Sequence, residues 1–473
     1  MAAESGRKND SETLLRKALD NLDYEPMPGQ RALLEKLSAF ALERRRLQAF
    51  ILRGYAGTGK TSLTAAFVKA LRECGLKFVL LAPTGRAAKV FSSYAGMPAH
   101  TIHKRLFRGD LYEPGSAGTA LFNAPNDDED TLFIVDEASM IQQDSQSQLL
   151  TLLLRHIYSR EGDNVVFIGD TAQLPPVGQT VSHALSEDYL RGFGMEIFTH
   201  LLDAPARQAQ RSGILYNATW LRRAMALPEL PSPQLRVSGF CDVKSVSSEY
   251  LQELVADSYS ETGEDGTMVI TRSNFRAGVF NRGIRATVLY AESELQIGER
   301  LVVVKNNYHY ARKIKELGFI ANGEIIHVKR IRGIEDRYGS RFADVEAELP
   351  SAGISLDAKL ILDTLSDDTA SLSGEALTKL YNAILAEKEA EGLEFTRALA
   401  ATRRDPYMNA LQVKYAYCLT CHKAQGGQWE NLFVDLGGIQ PETMDMEFYR
   451  WLYTAVTRAR SKLFLVNPTL KTV

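Results

Sequence analysis

The chain has 473 residues, 45% of them hydrophobic, with 55 Lys and Arg against 58 Asp and Glu and a formal net charge of −3. That length allows about three domains of ordinary size, and the charge means that a nucleic-acid partner cannot be read from overall basicity, so any basic track must be local. No apolar run approaches a membrane span and the polar start MAAESGRKND lacks a signal-peptide core, so a soluble, cytoplasmic protein with no membrane partner is expected.

Residues 1 to 48 read as helical and charged, with Leu14, Leu15, Ala18, Leu19 and Leu22 at helical spacing and a second helix starting near Pro28. From Phe50 to Val177 strands and helices alternate, with strands predicted at 49–53, 78–82, 132–135 and 165–168. Each is a short apolar run ending at polar or glycine residues, the layout of a parallel sheet with loops at its C-terminal edge. A similar alternation returns with strands near 268–271, 432–435 and 463–466. Between them, over 296–404, the character changes to antiparallel strands at 299–304 and 324–331 and one long helix over 374–391. This stretch reads as an inserted domain of uneven charge. Residues 305–341 carry nine Lys or Arg against four acids, and 342–394 carry twelve acids against three basic residues. A solvated face accounts for either run as well as a binding track does.

Four motifs carry chemistry. Gly54-x-x-x-x-Gly59-Lys60-Thr61 follows the apolar run Ala49-Phe50-Ile51-Leu52 and precedes a helix-like segment, the context that a phosphate-binding P-loop requires. Gly57, Thr58 and Gly59 can turn backbone N–H groups around an anion, and the following helix N-terminus adds a favourable dipole. Phe133-Ile134-Val135-Asp136-Glu137 is a strand ending in adjacent acids. Asp136 suits a magnesium ion shared with Thr61, and Glu137 suits the orientation or deprotonation of an attacking water. Phe167 to Pro176 runs a strand into a polar turn bearing Gln173, an amide able to sense a γ-phosphate. Tyr453 to Arg460 holds Arg458, a candidate for the charge of a transferring phosphoryl group. Cys418-Leu-Thr-Cys421-His422 matches the c-type haem attachment pattern, but no export signal accompanies it. The four cysteines, which include Cys74 and Cys241, are too scattered for a disulfide framework and show no second ligand pair for zinc.

In order, GYAGTGKT, LAPTGRAAK, TIHK, VDEAS, GDTAQLPPVG, ARQ, TCHKAQGG and YTAVTRAR resemble superfamily 1 DNA helicases, most closely the 5′-to-3′ branch of RecD-like and Dda-like enzymes, over roughly Gln30 to Val466. The resemblance implies an α/β fold of two RecA-like P-loop domains with an inserted SH3-like β domain and a small wedge hairpin insertion. Their spans would be 1–180, then 181–295 and 405–473 around the insertion 296–404, with the wedge over 104–130. It implies ATP and Mg2+ as cofactors and single-stranded and forked DNA as partners, and a motor acting as a monomer. Gln30 then matches the residue that reads the adenine edge, Arg207 the first arginine finger and Arg458 the second. Pro83, Thr84, Gly85, Thr101 and His103 match strand-contacting motifs of the first domain, as Thr420, His422 and Lys423 do for the second. This places the haem-like CLTCH inside a helicase motif. Phe107, Tyr112 and Phe122 are candidates for the wedge that meets the fork. At Gln428 the family often has a glutamate that meets the nucleotide sugar, so amide here replaces carboxylate. Two other readings remain open from the sequence: a small-molecule P-loop phosphotransferase, and a DNA-binding scaffold with a vestigial ATPase site.

Overall fold

The computed structural model describes residues 2–43, 47–107, 125–145, 147–204, 211–310, 314, 319–367, 369, 371–440 and 443–472. The first unit is a parallel six-stranded sheet in the order 99–101, 78–82, 132–135, 164–169, 48–54, 196–202. Alternate residues of its strands feed two cores. Phe50, Leu52, Leu80, Ile134 and Ile168 pack under the N-terminal helices and the Lys60–Glu73 helix. Ile51, Leu81, Phe133, Val135 and Phe167 pack under the Leu149–Ile157 helix on the other face. This period-2 split is why these strands read as continuous apolar runs. The predicted strands and the helix from Pro28 are present. Leu14 and Ala18 are fully buried in the first of the two cores.

The second unit is a parallel five-stranded sheet ordered 418–420, 267–271, 429–435, 459–466, 243–246. Between two of its strands the chain leaves to form a closed barrel of strands 300–303, 325–337, 340–349, 354–361 and 411–415. Two boundaries differ from the sequence reading. The first sheet continues past residue 180 to its edge strand Glu196–Leu202, which pairs with Gln48–Gly54. The barrel continues past residue 404, because Leu411–Tyr415 closes it against both 300–303 and 354–361. Neither strand advertises its sheet locally; partner choice is tertiary.

Part of the uneven charge of the insertion is paired between neighbouring elements. The basic strand Ile325–Arg337 pairs antiparallel with the acidic strand Ser340–Leu349. Lys329 meets Glu348, Arg332 meets Asp357 on the next strand, and Arg337 meets Glu387 on the Gly374–Ala390 helix. These pairs set basic residues of the first run against acids of the second.

Candidate active site

Three strand ends of the first sheet converge on the P-loop. Gly57 and Gly59 adopt φ of 72° and 88°, backbone that favours glycine, and Gly59 caps the Lys60–Glu73 helix. Lys60 Nζ donates to Gly54 O at 2.6 Å and Tyr55 O at 2.8 Å. A Cβ on Gly54 would stand 2.7 Å from the lysine stem, so the loop closes only around glycine there. Buried Gln30 locks the loop from the side. Its Nε2 donates to Thr58 O at 3.0 Å, and its Oε1 accepts from Met27 N–H at 3.0 Å. Thr61 is exposed beside it.

Asp136 follows the neighbouring strand. Its carboxylate accepts from the Glu137 N–H at 2.9 Å and from the Tyr94 hydroxyl. Burial, with Glu137 beside it, pushes its pKa up to about 6. Glu137 holds a left-handed backbone, φ 50° and ψ 36°, uncommon for a non-glycine residue and a form of strain that clusters at functional sites. Asp170 ends the third strand in a buried position; its Oδ1 accepts from Ala172 N–H at 2.9 Å. Burial raises its pKa, opposed by the nearby Lys60 charge. Gln173, 7% exposed, has a buried Oε1 without a hydrogen-bond partner among the described residues. These features fit a nucleotide with magnesium: a glycine cradle, a lysine among carbonyls, a buried carboxylate at a neighbouring strand end, an exposed threonine after the lysine, and a buried acceptor at Gln173.

The second unit covers the same loop. Leu215, from the Gly213–Met225 helix, lies so close that a Cβ on Gly57 would come within 2.9 Å of it, and Arg222 stacks on the Tyr55 ring at 4.2 Å. Arg458 is 3% exposed, with Nε donating to Thr454 O at 3.1 Å and Nη1 4.0 Å from Glu137 Oε1. Its neighbour in sequence Thr454 accepts from Leu174 N–H at 2.8 Å, and Gln425 Nε2 donates to Leu174 O at 2.8 Å. Tyr453 joins the same interface. Sequence reasoning passed over Tyr453, Asp170 and Tyr94; the spellings GDTAQ and YTAVTRAR contain two of them, but their meeting depends on chain segments hundreds of residues apart.

The predicted strand-contact residues divide into helix caps and clefts. Thr84 caps the Gly85–Ala95 helix, and Thr101 caps Ile102–Leu106, through bonds from Ala87 and Lys104 N–H. Pro83 sits buried before the first cap. Gly85 faces the barrel, where a Cβ would come 2.6 Å from Glu324. His103 packs on Phe107 at 5.8 Å and on the barrel residue Phe319 at 5.0 Å. Burial lowers its pKa to about 4, so it is a neutral ring at physiological pH. A cleft of about 370 Å³ opens between Lys89, Thr101 and Lys104 on one wall and Phe319 and Glu324 on the other. In the second unit Thr420 and Lys423 line a smaller hollow with Asn274 and Lys414. His422, half-buried nearby in sequence, has its pKa lowered by burial.

Other expectations come out differently. Phe107 is partly buried against the first unit's core rather than standing free as a wedge. Gln428 is exposed and accepts from Arg460 Nε at 3.2 Å; it shares a pocket with Arg86, Arg300 and Trp429, none of them a P-loop residue. Arg207, Tyr112 and Phe122 lie outside the described residues. Cys418 and Cys421 point into the core, with Cys421 Sγ 3.7 Å from Trp451 O and its pKa pushed up to about 12 by burial. They are packed thiols, which accounts for the haem-like spelling.

A P-loop and paired acids are thus faced by an arginine from a second α/β unit. Residues 27–191 match a family model described as an AAA domain, and 415–466 match one described as a UvrD-like helicase C-terminal domain. The chain is 26% identical over 472 residues to the ATP-dependent RecD2 DNA helicase of Deinococcus radiodurans, covering 97% of this chain and 51% of that protein. It is 25% identical over 435 residues to the ATP-dependent DNA helicase dda of Enterobacteria phage T4, covering 88% of this chain and 93% of that protein. A solved Pif1 helicase from Bacteroides, in complex with ADP-AlF3 and ssDNA, aligns at 15% identity and TM-score 0.47 over 94% of this chain and 92% of that one. The chain thus spans about half the length of the first of these relatives. The matches bear out the resemblance to superfamily 1 helicases of the RecD-like and Dda-like branch that the motifs carry.

Proposed function

We propose that the chain is an ATP-driven motor on single-stranded DNA that unwinds duplex with 5′-to-3′ polarity. The observation that carries this is the composite site: Lys60, Asp136 and Glu137 from one unit face Arg458 from the other, 4.0 Å from Glu137. In this reading Gly57, Thr58, Gly59, Lys60 and Thr61 hold the phosphates, and Gln30 lies at the adenine edge. Asp136 and Thr61 would hold magnesium, which when bound would offset phosphate charge. Glu137 accepts the proton of the attacking water, Gln173 bonds the γ-phosphate, and Arg458, with Arg207, offsets charge developing on it. Hydrolysis needs both units closed, so a strand bridging them would favour the active arrangement. The two α/β units serve as RecA-like domains and the five-stranded barrel as the SH3-like accessory domain. The strand path follows Pro83, Thr84, Gly85, Thr101, His103, Thr420, His422 and Lys423, and the wedge lies within 104–130. Grip through phosphates and stacked bases gives little sequence preference.

ATP turnover with and without oligo-dT tests this directly. We expect weak turnover alone, strong stimulation by oligo-dT, and loss of activity without magnesium. Lys60→Ala should abolish turnover and leave oligo-dT binding intact. Glu137→Gln should bind ATP yet stall before hydrolysis. Turnover that ignores oligo-dT in the parent would overturn the motor reading and favour a phosphotransferase. Strand displacement from 5′-tailed and 3′-tailed duplexes then tests polarity.

A further inference from the structure

Tyr453 belongs to the Met446–Val456 helix of the second unit, yet both partners of its hydroxyl belong to the first. The oxygen accepts from the P-loop Ala56 N–H at 2.9 Å, and the O–H donates to Asp170 Oδ2 at 2.6 Å. The residue is 1% exposed. A buried hydroxyl is costly unless bonded, and a phenyl ring would fill the same space, so the bonds are what the hydroxyl adds. Asp170 is a rigid anchor, since its other oxygen is held by Ala172 N–H. Burial and the facing Asp170 charge hold the phenolic pKa far above neutral, so the proton stays on Tyr453. One residue on, Thr454 takes the Leu174 N–H, and the Thr454 carbonyl in turn holds Arg458 Nε. The helix end is therefore pinned to the P-loop and to the turn after the third strand, and the arginine hangs from the pinned turn.

We propose that Tyr453 is a positioning residue for phosphoryl transfer: its hydroxyl clasps the second unit's helix to Ala56 and Asp170, and so sets where Arg458 stands relative to Glu137 and the reacting phosphate. This rests on the reading of the chain as an ATP hydrolase. Tyr453 touches no reacting atom; it acts through Arg458, whose contribution belongs to the transition state more than to bound ATP. A small misplacement of such a group costs rate steeply.

The test uses the full chain with Tyr453→Phe, at saturating oligo-dT and with magnesium. We expect kcat to fall by about tenfold or more, with KM for ATP nearly unchanged. Affinity for ADP with aluminium fluoride, a transition-state mimic, should fall in step with kcat, while affinity for ADP alone holds. In an Arg458→Ala background the same substitution should cost nothing further, because residues acting as a unit are not additive. If Tyr453→Phe fails to fold, Asp170→Ala removes the same bond from its other end and should give the same split. A parent without ATP turnover would refute the functional reading itself. An active parent whose Tyr453→Phe variant keeps parental kcat, or loses as much in the Arg458→Ala background, overturns this proposal alone.

Discussion

Lys423 shows how a single burial decides a charge. It lines the hollow with Thr420, Asn274 and Lys414, and burial, with Lys414 beside it, lowers its pKa to about 8. Lys414 Nζ itself donates to Thr364 O at 3.0 Å, so it is held in place rather than swinging away. A phosphate on the proposed strand path favours the charged form. The sign follows from linkage: below pH 8 the free protein already carries the charge, and above it binding must take up a proton. We therefore expect oligo-dT affinity to be independent of this group below about pH 7 and to fall by up to about tenfold per pH unit above 8. Lys423→Arg, whose guanidinium stays charged, should flatten the profile to pH 9. A fluorescence-anisotropy titration across pH checks this, and an unchanged slope in the arginine variant would exclude Lys423 as a phosphate contact. At this scale the sequence was most legible where chemistry needs one residue type at one spacing, as at Lys60, Asp136 and Glu137. It was silent on Tyr453, whose partner Ala56 lies 397 residues away. A tyrosine in an apolar helix has no local mark of such a role.

The Gly85–Ala95 helix links two kinds of site. Its N-terminal end carries the Thr84 cap and Gly85, on the proposed strand path, and near its C-terminal end Tyr94 donates to Asp136. At 1.5 Å per residue the helix spans only about 16 Å, so movement at one end reaches the other. Tyr94 supplies a hydrogen bond to the ionised carboxylate, and that favours the form a magnesium ion needs. Tyr94→Phe should weaken ADP binding several-fold in the presence of magnesium and leave it unchanged in EDTA. Calorimetry under both conditions measures the difference; an equal loss in both would mean that the hydroxyl only supports packing. LAPTGRAAK was legible as a motif, but that its threonine caps a helix was not read from the sequence. The charge runs of 305–341 and 342–394 were visible too, but their meaning was not. Register puts His327 opposite Glu348, and Lys329, at the register shift between Val328 and Arg330, reaches the same carboxylate; register between strands is set by pairing, which no single strand encodes alone.

At the scale of the molecule, the alternating strands foretold two α/β units and an inserted β domain, and the same reading stopped short at the strands that join distant segments, Glu196–Leu202 and Leu411–Tyr415. How the barrel meets the first unit was likewise beyond it. That contact is an aromatic file: His103 lies 5.0 Å from Phe319, and Phe319 stacks on Tyr308 at 5.2 Å. The file borders the cleft lined by Lys89, Thr101, Lys104 and Phe319. Two terms hold a single strand in such a place: stacking, which every base can supply, and phosphate charge, which salt weakens. They separate by experiment. Phe319→Ala removes an aromatic face and no charge, so oligo-dT affinity should fall by roughly 1–3 kcal/mol with the slope of log affinity against log salt unchanged. Lys104→Ala removes a charge, so that slope should drop by about one. KM for ATP should hold in both variants, because neither residue contacts the P-loop elements. If Phe319→Ala left oligo-dT affinity at the parental level, and Lys104→Ala left the salt slope as it was, the strand would have to cross the first unit by another route.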